Sequence, residues 1–453
     1  MRMARLLILS SRGWLAGMVG VLVCFGCGLL NPANSLDYEP SRVALDELAI
    51  GVWLPAGLHE LRFGAEDQRL LGALGINQVE WLQRAAGEGG TAEEMAMAFC
   101  NSAGLQMPVY YEPQGYTPYD KLHNWATRAE VVTGEGEALR LRVRDLKQQW
   151  EGNAGFAGYV IGHEDYRKEF YGALRQTVEV LKEEDGQRPA LTVGKIDNYP
   201  SVGRFMEAFF VEGGVPNIFQ HEHYVFRRDV PLEGRALQRQ LDGLVAGYER
   251  VARHLQGHYG RWHAIVQVHE EVREEGVYYR QPTAAEIRVQ AGLALARGAS
   301  GIVYFLYSSG VEERKDEEGN VQRRWVYKGL VDEVGAPTPS YIAVQQLNED
   351  LRAVGAVLQG LHFHGGFSSG KLLDNPLVLQ AAADLEFGLY GDGARATHVL
   401  VVNRHTTARR QVTLEVGAAA VWNALTDEQL AASHGKVDLD LDAGAFGVLR
   451  LAP

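Results

Sequence analysis

Short apolar runs alternate with longer amphipathic segments along most of the 453-residue chain, and this alternation constrains the fold more than any other feature. Each apolar run predicts a buried strand and each amphipathic segment a crossover helix, as in a parallel sheet. Eight such units occur in a row, the number that closes a (β/α)8 TIM barrel. An open doubly wound sheet is the alternative. The residues after the first strand, Pro-Ala-Gly-Leu-His at 55–59, do not form the glycine-rich phosphate turn often found in that fold.

The end of the chain has a different pattern. The predicted barrel strands are 47–54, 76–82, 106–112, 156–162, 189–195, 217–224, 262–269 and 301–308. Predicted helices include 65–74, after the first strand, and about 340–358, after the eighth. From about residue 362 the helical period disappears, and strand-like runs at 399–403, 411–416, 436–441 and 446–451 are separated by turn residues. The sequence therefore predicts a barrel domain over 36–360 and a small C-terminal all-β sandwich over 361–453. The charged run 312–318, after the eighth strand, is expected to be a solvated loop.

Residues 1–35 have the composition of a targeting segment. Arginines at the start precede an apolar run from Trp14 to Leu30, followed by a polar turn. This pattern is typical of a signal peptide, or of a lipoprotein or membrane anchor. Gly26-Cys27 resembles the end of a lipobox, so lipidation of Cys27 is one of the alternatives. We expect an exported protein, either extracellular, periplasmic or lipid-anchored at the cell envelope, with membrane attachment through this segment only.

Charge and cysteine content narrow the function classes. Acidic residues outnumber basic ones by 57 to 44, giving a formal charge of −13, which disfavours nucleic acid as a partner. Two of the three cysteines, Cys24 and Cys27, lie in the targeting segment. Cys100 is then the single cysteine of the mature chain, so no intramolecular disulfide is expected. The sequence contains neither a P-loop nor a G-x-S-x-G nucleophile elbow.

Carboxylates gather at the predicted C-terminal strand ends, where barrel enzymes place their chemistry. The fourth strand ends in Gly-His-Glu-Asp at 162–165, the sixth in His-Glu-His-Tyr at 221–224, and the seventh in Gln-Val-His-Glu-Glu at 267–271. Glycosidic cleavage needs two carboxyl groups, one to protonate the leaving oxygen and one to attack the anomeric carbon or activate a water. Glu164 is the predicted general acid/base, and Glu270 or Glu271 its partner. Strand alternation does not decide between those two.

Aromatic and polar side chains at the same ends are predicted to bind substrate. They are Trp53, Tyr110, His163, His221, Glu222, Tyr224, Gln267, His269, Tyr304 and Tyr307. The histidines also allow a metal-dependent hydrolase, in which His163, His221, His223 and His269 would ligate zinc with Glu164 and Glu222. Because the first strand lacks His-x-His and no His-Glu-x-x-His occurs, no metal ligand is assigned and no cofactor is expected.

Four segments carry a family resemblance. Gly-Tyr-Val-Ile-Gly-His-Glu-Asp at 158–165 resembles the fourth-strand segment of barrel glycoside hydrolases related to the beta-galactosidases, Gly-Tyr-x-x-x-Asp-Glu-Pro. His163 and Asp165 depart from that pattern. The segments 279–283 and 295–305, and Gly-Ala-Pro-Thr at 335–338, are similar to segments around the last two barrel helices of those families.

The resemblance implies a hydrolase of O-glycosyl bonds in a poly- or oligosaccharide. Retaining members of this group use carboxylates after strands four and seven, which implies Glu164 with Glu270 or Glu271. The irregular end of the seventh strand leaves a second hypothesis, a carbohydrate-binding barrel without catalytic activity.

Overall fold

A computed structural model describes residues 39–55, 64–82, 89–110, 136–164, 168, 171–315, 319–370 and 377–452. The predicted targeting segment 1–35 lies outside these residues, as does Asp165. No helix in the described part of the chain is both long and apolar enough to cross a membrane.

Eight parallel strands form the barrel, which confirms the predicted fold class. They are β1 (Ala49–Pro55), β2 (Gln78–Leu82), β3 (Met107–Tyr110), β4 (Phe156–His163), β5 (Ala190–Gly194), β6 (Asn217–Glu222), β7 (Gly260–Gln267) and β10 (Gly301–Phe305). Their order is β2-β1-β10-β7-β6-β5-β4-β3. A parallel bridge between Gln78 and Gln106 joins the two outer strands, and the Val79 N–H donates to the Gln106 carbonyl at 2.8 Å.

Helices surround the sheet. Those in the described residues are α1 (Ala65–Leu74), α2 (Gly89–Ala103), α3 (Gly136–Trp150), α4 (Tyr171–Asp185), α5 (Val202–Phe209), α6 (Arg235–Leu255), α7 (Ala284–Leu295) and α8 (Pro339–Leu358). In α6 the buried residues Leu237, Leu241, Leu244, Tyr248 and Val251 recur at helical spacing and pack on the barrel. A capping box begins α7, because Thr283 and Glu286 satisfy each other's backbone N–H groups.

A second, antiparallel sheet rises from the loops that follow β7 and β10. It consists of β8 (Glu270–Arg273), β9 (Gly276–Tyr279), β11 (Gly310–Lys315) and β12 (Val321–Lys328), in the order β11-β12-β8-β9. The expectation of a simple solvated loop over 312–318 is wrong for its first part, since β11 continues to Lys315 and pairs with β12. We call these four strands the mouth sheet, because they follow the C-terminal ends of barrel strands.

The C-terminal part is all-β, as predicted. Its strands are β13 (His362–Ser368), β14 (Val378–Gln380), β15 (Leu385–Gly391), β16 (Ala396–Asn403), β17 (Arg410–Val416), β18 (Ala420–Asn423), β19 (Glu428–Leu430), β20 (Lys436–Leu441) and β21 (Phe446–Ala452). They form a six-stranded sheet and a three-stranded sheet, which share one apolar core. In β17, Val412, Leu414 and Val416 face that core, whereas Gln411 and Thr413 are exposed.

The barrel and the sandwich belong to one compact unit. Helix α7 lies between them and is almost entirely buried, and the core that it shares with the barrel includes Tyr390, Leu400 and Val402 of the sandwich. A buried ion pair joins Arg297, just after α7, to Glu386 of β15 at 2.6 Å. We call this region the junction.

Candidate active site

The barrel interior is a packed core beneath the mouth. Val160, Leu191, Val193, Ile265 and Val303 point inward from four strands and pack together. A side-chain-filled interior is usual for an eight-stranded barrel, so chemistry is confined to the C-terminal rim.

A bulge in β4 decides which residues reach the rim. Val160 pairs with Leu191 of β5, but Gly162 pairs with the next residue, Thr192, so Ile161 is an extra residue on β4. The bulge shifts the alternation by one position. His163 consequently faces the mouth, with its ring 5.6 Å from the indole of Trp53.

Glu164 follows the bulge in an unusual backbone conformation. Its φ is +53°, in the left-handed region that non-glycine residues seldom adopt, and its N–H donates to the Val193 carbonyl at 2.8 Å. Such a conformation costs on the order of 1–3 kcal/mol and persists only where the surroundings hold it. The chain therefore holds this carboxyl group in place at an energetic cost.

The side chain of Glu164 is hydrogen-bonded to that of Glu222, at the end of β6. Burial, and then the negative charge and hydrogen bond of Glu164, raise the pKa of Glu222 well above its ordinary value. The positive charge of Lys195, just after β5, acts in the opposite direction. Two touching carboxyl groups cannot both be ionised at low cost, so the pair keeps one proton at a pH where an isolated glutamic acid has lost it.

Aromatic rings line the mouth beside this pair. The Phe305 ring, at the end of β10, lies 6.0 Å from Trp53, 5.5 Å from Tyr224 and 4.9 Å from His269. From the mouth sheet, Tyr279 lies 5.7 Å from Tyr224. Flat apolar rings next to carboxyl groups form a surface suited to the face of a sugar ring.

His269 is held in one tautomer within this aromatic cluster. It is fully buried, and its Nδ1 lies 2.9 Å from the Phe305 carbonyl, which can only accept a hydrogen bond. Nδ1 is therefore the donor, and Nε2 is a bare acceptor. Burial lowers the pKa of His269 to about 4, so the ring is neutral at physiological pH.

Gln267 is hydrogen-bonded to the backbone of two loops beside the mouth. Its side-chain amide donates to the carbonyls of Phe226 and Arg280, both at 3.2 Å, and its Oε1 accepts from the Phe226 N–H at 3.0 Å. A fully buried side chain with these three contacts supports the loop backbone.

The two strand-seven glutamates lie in β8, in the mouth sheet. Glu270 forms an ion pair with Lys328 of β12 at 2.5 Å. Glu271 is 5% exposed and forms an ion pair with Arg273, while its other oxygen lies 4.0 Å from Nε2 of His269. Burial raises the pKa of Glu271. Its role as the partner of Glu164 stays a prediction.

Three residues that the sequence analysis assigned to substrate lie in the core between the barrel and its helices. The Tyr304 hydroxyl donates to Asn348 of α8 at 2.5 Å, and the Tyr307 hydroxyl to Asp67 of α1 at 2.9 Å. His221 is fully buried and accepts a hydrogen bond from the Ile196 N–H at 3.2 Å. These residues alternate with the inward-facing positions of their strands. The side chain of Tyr110, at the end of β3, lies outside the described residues.

Sequence reasoning left out Phe305, Tyr279, Tyr327 and Lys195. Phe305 is two residues after the inward-facing Val303 and so shares its face of β10. That alternation could have identified Phe305 in place of Tyr304. Tyr279 and Tyr327 reach the mouth through the mouth sheet, whose pairing was not predicted. In the described part of the chain, no group of three His, Cys, Asp or Glu side chains could hold a metal ion.

Comparison with known proteins finds matches among solved structures and not among sequences. No protein-family model matches the sequence, and no curated protein does. The fold is similar to a beta-galactosidase from Bacillus circulans sp. alkalophilus, with a TM-score of 0.60 and 7% identity over 90% of this chain and 99% of that one.

Two further solved structures are similar over nearly their whole length. A GH42 beta-galactosidase of G. stearothermophilus has a TM-score of 0.61 and 7% identity, covering 92% of this chain and 100% of its own. A beta-L-arabinopyranosidase from Geobacillus stearothermophilus has a TM-score of 0.51 and 11% identity, covering 90% and 97%. At these identities the likeness establishes the fold.

Proposed function

We propose that the protein is a glycoside hydrolase that cleaves O-glycosyl bonds in a poly- or oligosaccharide. The single observation that carries the proposal is the hydrogen-bonded pair of Glu164 and Glu222 at the barrel mouth. The aromatic rings beside the pair support a sugar as the ligand. The similar solved structures support it as well, because they are beta-galactosidases and an arabinopyranosidase.

The electrostatics of the pair suggest a role for each carboxyl group. Burial and the neighbouring carboxyl raise the pKa of Glu222, and we assign the shared proton to it, so that Glu222 protonates the leaving oxygen. Glu164 is then the carboxylate that attacks the anomeric carbon or activates a water. This assignment places the second carboxyl on strand six, whereas the sequence predicted it on strand seven with Glu164 as the acid/base.

The sugar has to separate the two carboxyl groups. Hydrogen-bonded carboxyls stand closer together than the ~5–5.5 Å of retaining enzymes or the ~6.5–9.5 Å of inverting ones. When a glycosidic bond enters between them, the Glu222 proton loses Glu164 as its acceptor and faces the glycosidic oxygen instead. Substrate binding thereby releases the proton for the reaction, and the half-buried side chains of both residues remain partly accessible from the mouth.

The test is a screen of the purified full-length protein against galactan, arabinan, mannan, xylan, laminarin, alginate and dextran, with reducing ends as the readout. These are extracellular polymers, in keeping with the predicted export. Glu164→Gln and Glu222→Gln should each lower kcat by a factor of about 10²–10⁴. Glu270→Gln, a carboxamide variant of the ion-paired glutamate in β8, is the matched control and should retain activity.

The outcomes separate the hypotheses. Full activity in both Glu164→Gln and Glu222→Gln would sink the proposal. A loss in Glu271→Gln equal to that in Glu164→Gln, with Glu222→Gln active, would restore the strand-seven pairing. Glycan binding without cleavage of any polymer in the panel would identify a carbohydrate-binding barrel.

A further inference from the structure

The mouth sheet extends outward from the Glu164–Glu222 pair. Its strand β12 begins with four exposed residues, 321–324, and becomes half-buried over 325–327, where it approaches the barrel. At that inner end the Tyr327 ring lies 6.0 Å from His269 and 6.2 Å from Phe305. One face of β12 therefore continues the aromatic lining of the mouth.

The strand register places Trp325 on the same face as Tyr327. Tyr327 is paired with Glu271 and Gly310, and Val326 with Val272 and Val311, so the alternation is regular across all three strands. Residues two apart on a strand share a face and are separated by about 7 Å. Trp325, half-buried, is thus the next aromatic side chain outward from the mouth.

Polar side chains flank Trp325 on this face. Glu312 of β11 is directly opposite it in the ladder, and Arg323 is two residues further along β12 and exposed. Hydroxyl groups of a sugar both donate and accept hydrogen bonds, so a flat ring between an acceptor and a donor matches their chemistry. A second protein chain, by contrast, would have to desolvate these charges.

From this continuity we propose that the face of the mouth sheet that carries Tyr327 and Trp325 is a second sugar-binding site. The Trp325 ring would be the platform for a further unit of the same glycan chain. The inference rests on the proposed function and deepens it. A site that extends about 7 Å beyond Tyr327 requires a ligand longer than a single sugar. The substrate is accordingly an oligo- or polysaccharide chain, and short glycosides are poorer substrates.

The experiment measures kcat/KM on di- to hexasaccharides of the polymer that the screen identifies. Trp325→Ala should lower kcat/KM about five- to tenfold on the hexasaccharide, since an aromatic contact of this size is worth that factor, and less than twofold on the disaccharide. Trp325→Phe keeps a flat ring and should recover most of the loss. Arg324→Ala, the neighbouring exposed residue on the opposite face of β12, is the matched control.

The results distinguish this site from the proposed function. An equal loss at every chain length, or no loss, would overturn the outer site while hydrolysis still depends on Glu164. A change in sedimentation of Trp325→Ala would show that a second copy of the chain covers the face, and would also overturn it. If the panel is bound but not cleaved, affinity electrophoresis in the same polymers replaces kinetics. Weaker retardation of Trp325→Ala than of Arg324→Ala would then support the site, and equal retardation would reject it.

Discussion

Two carboxylates, the half-buried Glu222 at the mouth and the fully buried Glu386 at the junction, lie in opposite electrostatic surroundings. Glu386 is fully buried and accepts hydrogen bonds from Arg297 at 2.6 Å, Arg404 at 2.9 Å and the Ser368 hydroxyl at 2.8 Å. Two cations neutralise it. Glu222 has another carboxyl group as its direct partner, and Lys195 opposes the resulting rise in pKa without abolishing it.

The difference shows that burial by itself does not mark a site of chemistry. Where the partners are guanidinium groups, ion pairs compensate the carboxylate and join the barrel to the sandwich. Where the partner is a like charge, a proton is stored in a place that a substrate can reach. The sign of the neighbouring charge separates the structural glutamate from the one proposed to act in catalysis.

Measurements of unfolding free energy in variants at the junction and at the mouth test this difference most directly. Arg297→Met should lower the free energy of unfolding by about 3–5 kcal/mol, because it leaves Glu386 buried with one cation fewer. Glu222→Gln should leave stability unchanged or raise it, since the carboxamide keeps a donor for Glu164 and removes the free-energy cost of holding a proton on Glu222 at neutral pH. Urea unfolding at neutral pH checks both variants.

The double variant Arg297→Met with Glu386→Gln is the control for the junction, and it should recover part of the loss. Comparable losses of stability in Arg297→Met and Glu222→Gln would show that the two glutamates do not differ in the way described.

A third carboxyl, Glu80 in the barrel interior, extends the comparison to a buried glutamate whose hydrogen-bond partners are neutral. It is fully buried and accepts hydrogen bonds from the side-chain amides of Gln78 at 2.6 Å and Gln220 at 2.8 Å. Burial raises the pKa of Glu80 to about 7. Between pH 4.5 and 7 the folded chain therefore binds more protons at this position than the unfolded chain does, and stability falls as the pH rises.

The free energy of unfolding falls by about 3 kcal/mol between pH 4.5 and 7 because of Glu80. Glu80→Gln should remove this fall, so the difference in unfolding free energy between wild type and variant should change with pH. Urea unfolding at several pH values between 4 and 8 measures the difference. A constant difference across the range would show that Glu80 is ionised throughout.

The smallest effect is expected at the exposed ion pair of the mouth sheet. Lys328, 59% exposed, pairs with Glu270, and an exposed pair contributes less than about 1 kcal/mol. Lys328→Met should therefore change the melting temperature by no more than a few degrees and kcat/KM by less than twofold. A tenfold loss of kcat/KM would bring Glu270 into the reaction.

Most of the barrel was predictable because its signals are local. Helix α1 occupies residues 65–74, as the apolar spacing predicts, and α8 begins within one residue of its expected start. The mouth sheet was not predictable from the sequence. Its strands β8 and β12 are about fifty residues apart, and their short, charged sequences show little apolar alternation. Pairing at that separation depends on contacts that a local pattern does not contain.

At the site, the sequence identified residue types at strand ends but not their directions. Glu164 and Glu222 were both singled out, yet their contact depends on the Ile161 bulge and on the left-handed backbone of Glu164. Neither has a sequence signature, since glycine is the residue usually expected at positive φ. Tyr304 was preferred to Phe305 by residue type, although alternation along β10 favours Phe305.

Helix α7 serves two cores at once. Its Gly292 leaves no space for a side chain against Val402 and Phe446, and just beyond the helix Gly298 lies equally close to Phe363. The boundary near residue 361 thus separates two topologies but not two cooperative units. Melting should be a single calorimetric transition, and a barrel expressed without the sandwich would expose the apolar surface of α7 and aggregate. For anyone exchanging modules between proteins of this architecture, the element that has to be preserved is this helix and not the connecting segment.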